Sequence, residues 1–309
     1  MSAYVIRRLL SAIPLLIGVS ILTFLLLRVI PGDPILAMMG ERYDPETAAA
    51  FRRDLGLDQP WPAQLLRYFG DLARGDLGES LTLSRRSVTE LILERFPHTL
   101  MLAAGAIAIA VACGVALGAL AAWRPRSIID RFVTAASLIG VSVPVFTTGL
   151  FLAFLFGVMW RVLPPSGSDG FDPRFLVLPA LALSTPSTAL IARITRASLL
   201  DVAAKDYVRT ARAKGAAQTR VFLHHLLRNA ALPIITVVGT DFGSYLGGSV
   251  LTESVFAWPG VGRLTLEAIA KRDFPLIQGI VLFMAAVFIL VNLAVDCLYA
   301  ALNPRVETQ

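Results

Sequence analysis

Charge is scarce in this chain. Of 309 residues only 16% are Asp, Glu, Lys or Arg, against about 25% in an average soluble domain. Long stretches carry none: Thr99–Trp123, Phe132–Trp160, Phe175–Ala192 and Phe274–Val295. Asn229–Thr252 has one charge, Asp241, and Leu9–Ile30 has one, Arg28. Uncharged apolar runs of about 18 residues or more are too long for a soluble core and read as membrane spans. Six such runs predict an all-α integral membrane protein with six transmembrane helices. The first follows Arg7 and Arg8, like a secretion signal, but is longer than a signal's apolar core and is read as a retained span.

Other residue types are also few. The two cysteines, Cys113 and Cys297, fall inside spans and read as small buried hydrophobes. Three histidines and no metal-ligand spacing leave no expected metal site. No G-x-x-x-x-G-K-[ST] run is present to hold nucleotide phosphates. No nucleophile–base arrangement suggests an enzyme, so the chain reads as non-catalytic.

Where the charge does occur is informative. Between Arg193 and Arg228 stand eight basic and two acidic residues, a surplus of six, which equals the whole chain's net charge of +6. Basic residues stay on the cytoplasmic side. With the N-terminus inside, that side holds Arg7, Arg8, Arg124, Arg126, Arg131, the eight from Arg193 to Arg228, and Arg305: 14 of the 28. The short loops opposite carry only Arg161, Arg174, Arg263, Lys271 and Arg272. Both termini are therefore expected in the cytoplasm. The polar segment of about 31–95 is expected outside, as a cap with helices at DPETAAAFRRDLGL and WPAQLLRYFGDLARGDLGES. A third, SVTELILERF, opens with a capping-box pattern and runs into span two.

The basic loop, KDYVRTARAKGAAQTRVFLHHLLRNAALP, has helical spacing. Lys205, Arg209 and Arg212 share one face, and Gly215 sits where a helix would end. Arg220, His224 and Arg228 share a face beyond it. Two short amphipathic helices hinged at Gly215 are expected. Such a loop fits topology and attraction to anionic lipid, or docking of a cytoplasmic protein. Nucleic acid is disfavoured, since no base-reading module accompanies the charge.

In the spans, Gly239, Gly243 and Gly247 form a small-residue ridge suited to close helix packing. Asp241 is an intramembrane carboxylate, a functional candidate by default. It would either face a solute pathway, where it could bind an amino group or another cation, or hydrogen-bond a neighbouring span. Pro144 and Pro186 interrupt spans three and four. Ser184, Thr185, Ser187 and Thr188 could satisfy the carbonyls that Pro186 frees, or line the route. Asn292 is a further pathway candidate. FAWPGVG, Phe256–Gly262, reads as an outer hairpin or re-entrant loop.

The pattern YVRTARAKG…HHLLRNAALP resembles the cytoplasmic motif of ATP-binding-cassette importer permeases, in the version carried by the dipeptide/oligopeptide/nickel branch. Gly215 matches the motif glycine, Ala211 its second alanine and Leu227 its leucine. Arg209, Thr210, His225 and Arg228 depart from the general form, and His225, Leu227, Arg228, Asn229 and Pro233 match the peptide branch. PGDP (31–34), LGLDQP (55–60), RGDLGES (74–80), ESVFAWPGVGRL (253–264), RDFPLIQG (272–279) and LYAALNPR (298–305) extend the likeness over nearly the whole chain. Asp241 has no counterpart in that pattern.

The resemblance implies a single permease domain over 1–309 that forms a solute pathway with a second permease. Two ATPase subunits, carrying ATP and Mg, would dock on the motif of about 201–233, in particular on Lys205, Arg209, Ala211, Arg212, Gly215, Arg220, His225, Leu227 and Arg228. A solute-binding protein would deliver cargo outside, near Asp76, Gly78, Phe256, Trp258, Pro259 and Gly260. The location implied is a bacterial plasma membrane. The rival reading is an ion-coupled secondary transporter with Asp241 as its cation site, although no convincing internal repeat supports it.

Overall fold

A computed structural model describes residues 2–29, 35, 39, 44–54, 56–83, 85–170 and 172–302. The PGDP motif, Leu55 of LGLDQP and residues 303–305 of the last motif lie outside them. Among the described residues the fold is helical, with one isolated β-bridge pairing Glu79 with Ser87.

Helix α1, Ser2–Val29, is the first apolar helix. α2, Pro45–Asp54, opens with Asp44, whose carboxylate accepts the Thr47 amide at 2.9 Å. Hydrogen bonds from the Thr47 hydroxyl and amide hold the Asp44 carboxyl below its ordinary pKa. α2 gives way to Gly56 at φ +67°, a conformation that costs glycine little. α3, Trp61–Ala73, starts on Pro60 and Pro62 and ends before Gly75 at φ +79°. α4, Val88–Trp123, merges the expected third cap helix with span two. At about 1.5 Å per residue its 36 residues exceed the roughly 30 Å of a hydrocarbon core, so one end projects beyond it.

The third span breaks at Pro144, as expected. α5, Ile128–Ser142, and α6, Val145–Leu152, meet at Pro144 with a bend of 102°. Pro144 has no N–H and forces the residue before it out of the helical region; Val143 accordingly sits at ψ 126°. A π-helical stretch, Ala153–Met159, continues α6. α7, Pro173–Ala203, absorbs both Pro179 and Pro186 and stays continuous, so the expected interruption at Pro186 is absent. There the Ser184 and Thr185 hydroxyls donate to Leu181 O at 2.8 and 3.0 Å. α8, Asp206–Ala213, is the first helix of the basic loop. The second is not separate: Gln218–Arg220, a π-helical stretch Val221–Leu227, and Arg228–Gly248 follow without a break, together α9. α10, Val250–Val255, α11, Val261–Ala270, and α12, Phe274–Leu302, complete the order. Among the described residues five helices are fit by length and composition to cross a membrane, or six spans with the bent pair counted as one.

The chain divides into two compact units. One comprises residues 100–258 and 290 onward, with α7 at its centre, packed by α5, α6 and α9. Close approach there rests on α4 glycines: a Cβ on Gly114 would lie 2.8 Å from Ile191 and 2.9 Å from Thr188 O. The expected ridge on α9 is uneven, with Gly243 buried. Gly239 meets Val295 of α12, whereas Gly247 faces open space. The other unit comprises residues 2–99 and 259–289. Its core gathers Leu27, Val88, Leu91, Ile92, Leu264, Leu276 and Ile280.

Candidate functional site

The basic loop folds as an anchored hairpin. Val208 is buried with Leu199, Val221, Leu226 and Ala230, so the apolar side of α8 sits on the ends of α7 and α9. Trp123 and Phe222 meet edge to face at 5.4 Å beside them. Lys205, Arg209, Arg212, Arg220 and Arg228 are exposed, while Ala211, His225 and Leu227 are half-buried. An ion pair on α8, Arg209 to Asp206 at 3.3 Å, is largely in solvent and stabilises little.

Gly215 closes α8 by a Schellman motif. The Ala216 amide donates to Ala211 O at 3.2 Å and the Gly215 amide to Arg212 O at 2.9 Å. Gly215 has φ +78°, and a Cβ there would meet nothing within 4 Å. Backbone conformation, not space, is what this position demands of its residue. The π-helical stretch that follows carries His224, His225 and Leu227; such stretches recur at functional sites. Asn229 Nδ2 donates to His225 O at 2.7 Å, and that carbonyl lies beside the transition back to α-helix.

A second polar feature joins α7 and α9. Ser187 donates to the Asp241 carboxylate. The Tyr245 hydroxyl, 2.9 Å from Leu183 O and 2.5 Å from Ser187 Oγ, shares its one proton between these two acceptors. Ser187 and Tyr245 are buried and Asp241 is half-buried. Among the described residues Asp241 Oδ1 accepts no hydrogen bond. Ser184 is buried, Thr185 half-buried and Asn292 half-buried on α12. Hydrogen bonds join Asp241 to Ser187 and, through Ser187, to Tyr245. Tyr245 was not singled out from the sequence, although it lies four residues after Asp241 and so on the same helical face.

Two further clusters escaped sequence reading. Asp130, buried at the start of α5, takes a bidentate hydrogen bond from Arg196 of α7, with Nη2 at 2.9 Å, and one from the Arg126 amide at 2.8 Å. The Ser127–Asp130 spacing is a helix-start signature that pointed to it. Asp273 is wholly buried ahead of α12. It accepts from Ser80 Oγ at 2.5 Å, Thr82 Oγ1 at 2.8 Å and the amides of Thr82, Leu81 and Leu276 at 3.0, 3.2 and 3.3 Å. An acid directly before Phe-Pro at a helix start was its only sequence signal.

Of the residues assigned to the outer face, Asp76 is exposed and accepts the Gly78 amide at 2.8 Å, with Gly78 at φ +84°. Phe256 and Trp258 are different. Each is 1% exposed, and Phe256 packs with Leu178 and Ala182. Their rings belong to the core and present no surface, which corrects the assignment. Pro259 is half-buried and Gly260 buried at the start of α11. Among the described residues no group of three or more His, Cys, Asp or Glu is placed to hold a metal.

An exposed basic hairpin between two spans, on a chain without a nucleotide motif, is the arrangement of a transport subunit driven by another protein. The sequence agrees. Residues 114–308 match the binding-protein-dependent transport system inner membrane component, and residues 1–103 match the N-terminal membrane component of the same systems. The chain belongs to this family of importer permeases. It is 44% identical to the di/tripeptide transport system permease protein DppB of Pseudomonas aeruginosa over 336 aligned residues, covering all of both chains. It is 42% identical to the dipeptide permease DppB of Escherichia coli K12, covering 99% of each. Identity to the glutathione transport system permease GsiC of Shigella flexneri is 44%, covering 98% of each. The inward-facing MetNI methionine ABC transporter shares the fold, with a TM-score of 0.59 over 70% of this chain and 97% of that one, at 19% identity.

Proposed function

We propose that this permease imports short peptides, with ATP and Mg bound by two partner ATPases and the solute handed over by a binding protein outside. A second, related permease completes the pathway. The observation that carries the coupling is the exposed basic face of α8, turned at Gly215 and held on the ends of α7 and α9. Movement of α8 is thereby passed to two spans at once. The distribution of basic residues supports cytoplasmic termini and an inner-membrane location. Relatives that carry di- and tripeptides or glutathione support the substrate class. The half-buried Asp241, with one oxygen free of hydrogen bonds, supports a place on the pathway where a peptide ammonium or other cation passes. An ion-coupled carrier built on Asp241 would transport without ATP.

Gly215 provides the test. Proline fixes φ near −65° and cannot adopt +78°, whereas asparagine tolerates that region. In reconstituted complexes Gly215→Pro should hydrolyse ATP without peptide uptake, and Gly215→Asn should keep most of both. Normal uptake by Gly215→Pro would remove the hairpin from the mechanism. Uptake driven by an ion gradient in the absence of ATP would favour the carrier reading instead.

A further inference from the structure

The unit formed by residues 2–99 and 259–289 contains a cavity of about 390 Å³ between α1, α3, the 74–81 turn and the start of α12. This lies within the range of small-molecule sites, roughly 300–1,000 Å³. Its walls are unusual for packing. Three arginines and four acidic residues line it. Arg28 is committed, with Nη2 donating to Gln64 at 2.5 Å and its guanidinium over the Phe24 ring at 3.4 Å. Among the described residues Arg67 has no such tie, and Asp71 pairs with Arg74, at 3.6 Å in an exposed pair.

Gln278 gives an independent sign of a ligand. Its residue is 8% exposed, it lines the cavity, and its Nε2 is buried without a hydrogen-bond partner. A buried donor left unmet is costly and is normally satisfied by something. Phenylalanine or leucine would fill this position without that cost.

Arg67 and Asp71 stand four residues apart on α3 and so share a face, with Cβ atoms about 6 Å apart. An extended dipeptide spans at most about 7 Å. The opposite charges of Arg67 and Asp71 therefore line one wall of the cavity, where both ends of a short zwitterion can find a partner.

We propose that this cavity is a binding site for a zwitterionic dipeptide, with Arg67 taking its carboxylate, Asp71 and Asp76 its ammonium, and Gln278 donating to its peptide carbonyl. This rests on the peptide reading and on the outward orientation argued above. It places a recognition step on the outer face of the permease itself, distinct from the Asp241 position within the spans. A site that measures both ends also selects length. Tripeptides would bring one charged end to its partner but not both.

The test uses the whole complex of both permeases and ATPases in lipid nanodiscs, without binding protein, titrated by microcalorimetry with Ala-Ala. Wild type should bind. N-acetyl-Ala-Ala, Ala-Ala-amide and Ala-Ala-Ala should bind about tenfold more weakly or worse, as loss of a charge-assisted hydrogen bond implies. Arg67→Gln and Gln278→Leu should weaken Ala-Ala similarly in complexes that retain wild-type ATP hydrolysis. Should the buried Gln278→Leu fail to assemble, the solvent-facing Asp71→Asn serves in its place. No heat with wild type, equal binding of the capped peptides, or unchanged affinity in the variants would overturn the proposal. Peptide uptake by the complete system separates the two readings. Uptake without cavity binding defeats this site alone, and absence of any peptide uptake defeats the substrate reading.

Discussion

Asp273 and Asp241 are both carboxylates held away from bulk water, in opposite ways. Asp273 has no exposed surface and five neutral donors, spread over both oxygens. No cation contributes to any of those bonds. Its donors come from the 80–82 turn and from the first turn of α12, so one side chain fastens a loop to a helix start. Asp241 is half-buried and, among the described residues, has one hydrogen bond, from Ser187. A fully satisfied carboxylate has nothing left for a ligand and closes structure. An under-satisfied one in a span costs stability and persists where it is used.

Breaking the closed site should have the larger effect. Asp273→Ala leaves two hydroxyls and three amides without their acceptor. Hydroxyls rotate to other partners, but amides do not; each left unmet costs about 1–3 kcal/mol, with the part-buried Leu81 and Thr82 amides at the low end. A total loss of about 3–5 kcal/mol is expected, read as a lower unfolding temperature of the detergent-solubilised complex and poor accumulation in membranes. Asp273→Asn keeps one acceptor and should fall between. An alanine variant as heat-resistant as wild type would show that the 80–82 turn is held by other contacts.

The Asp130–Arg196 pair lies between these extremes. Asp130 is buried but Arg196 keeps about a third of its side chain in solvent, so its charge is partly screened. Arg196→Met should cost about 1–2 kcal/mol in the same unfolding measurement, less than removal of a wholly buried partner. Because Arg196 stands near the end of α7 that leads into the basic hairpin, uptake per ATP hydrolysed should fall as well. Unchanged coupling with lowered stability would make the pair purely structural.

The comparison also explains what could be read from sequence. Gly215, Pro144 and the α2 end at Gly56 were legible because each acts through its own backbone: a positive φ or a missing N–H is a property of one residue and its neighbours. Spans were legible because lipid demands length and apolarity. Asp273 was not, since its Ser80 partner is 193 positions away and nothing local distinguishes that acid from a solvated one. Phe256 and Trp258 misled for a related reason. The FAWPGVG stretch is rich in turn formers, and turns usually lie at the surface; tertiary packing drew its rings inside. The second half of the basic loop misled because alternate spacing of Arg220, His224 and Arg228 is the same whether the helix stands alone or continues into a span.

The smallest effect on stability, and the sharpest distinction, belongs to Asp241→Asn. The amide oxygen still accepts from Ser187, and the Tyr245 hydroxyl still shares its proton between Leu183 O and Ser187. If Asp241 only ties α9 to α7, this substitution is nearly silent. If its charge meets a passing ammonium, the maximal rate of peptide uptake at saturating loaded binding protein should fall about three- to tenfold, the worth of one charge-assisted hydrogen bond partly screened by water. Unfolding temperature should stay within about 2 °C of wild type, since no partner is lost. Tyr245→Phe is the reciprocal case. It deletes the links to Leu183 and Ser187, so it should lower stability by about 1 kcal/mol while sparing the charge and most of the rate. Should Asp241→Asn and Tyr245→Phe instead lose stability alike and transport alike, the three residues form one structural tie, and the pathway runs elsewhere between the spans.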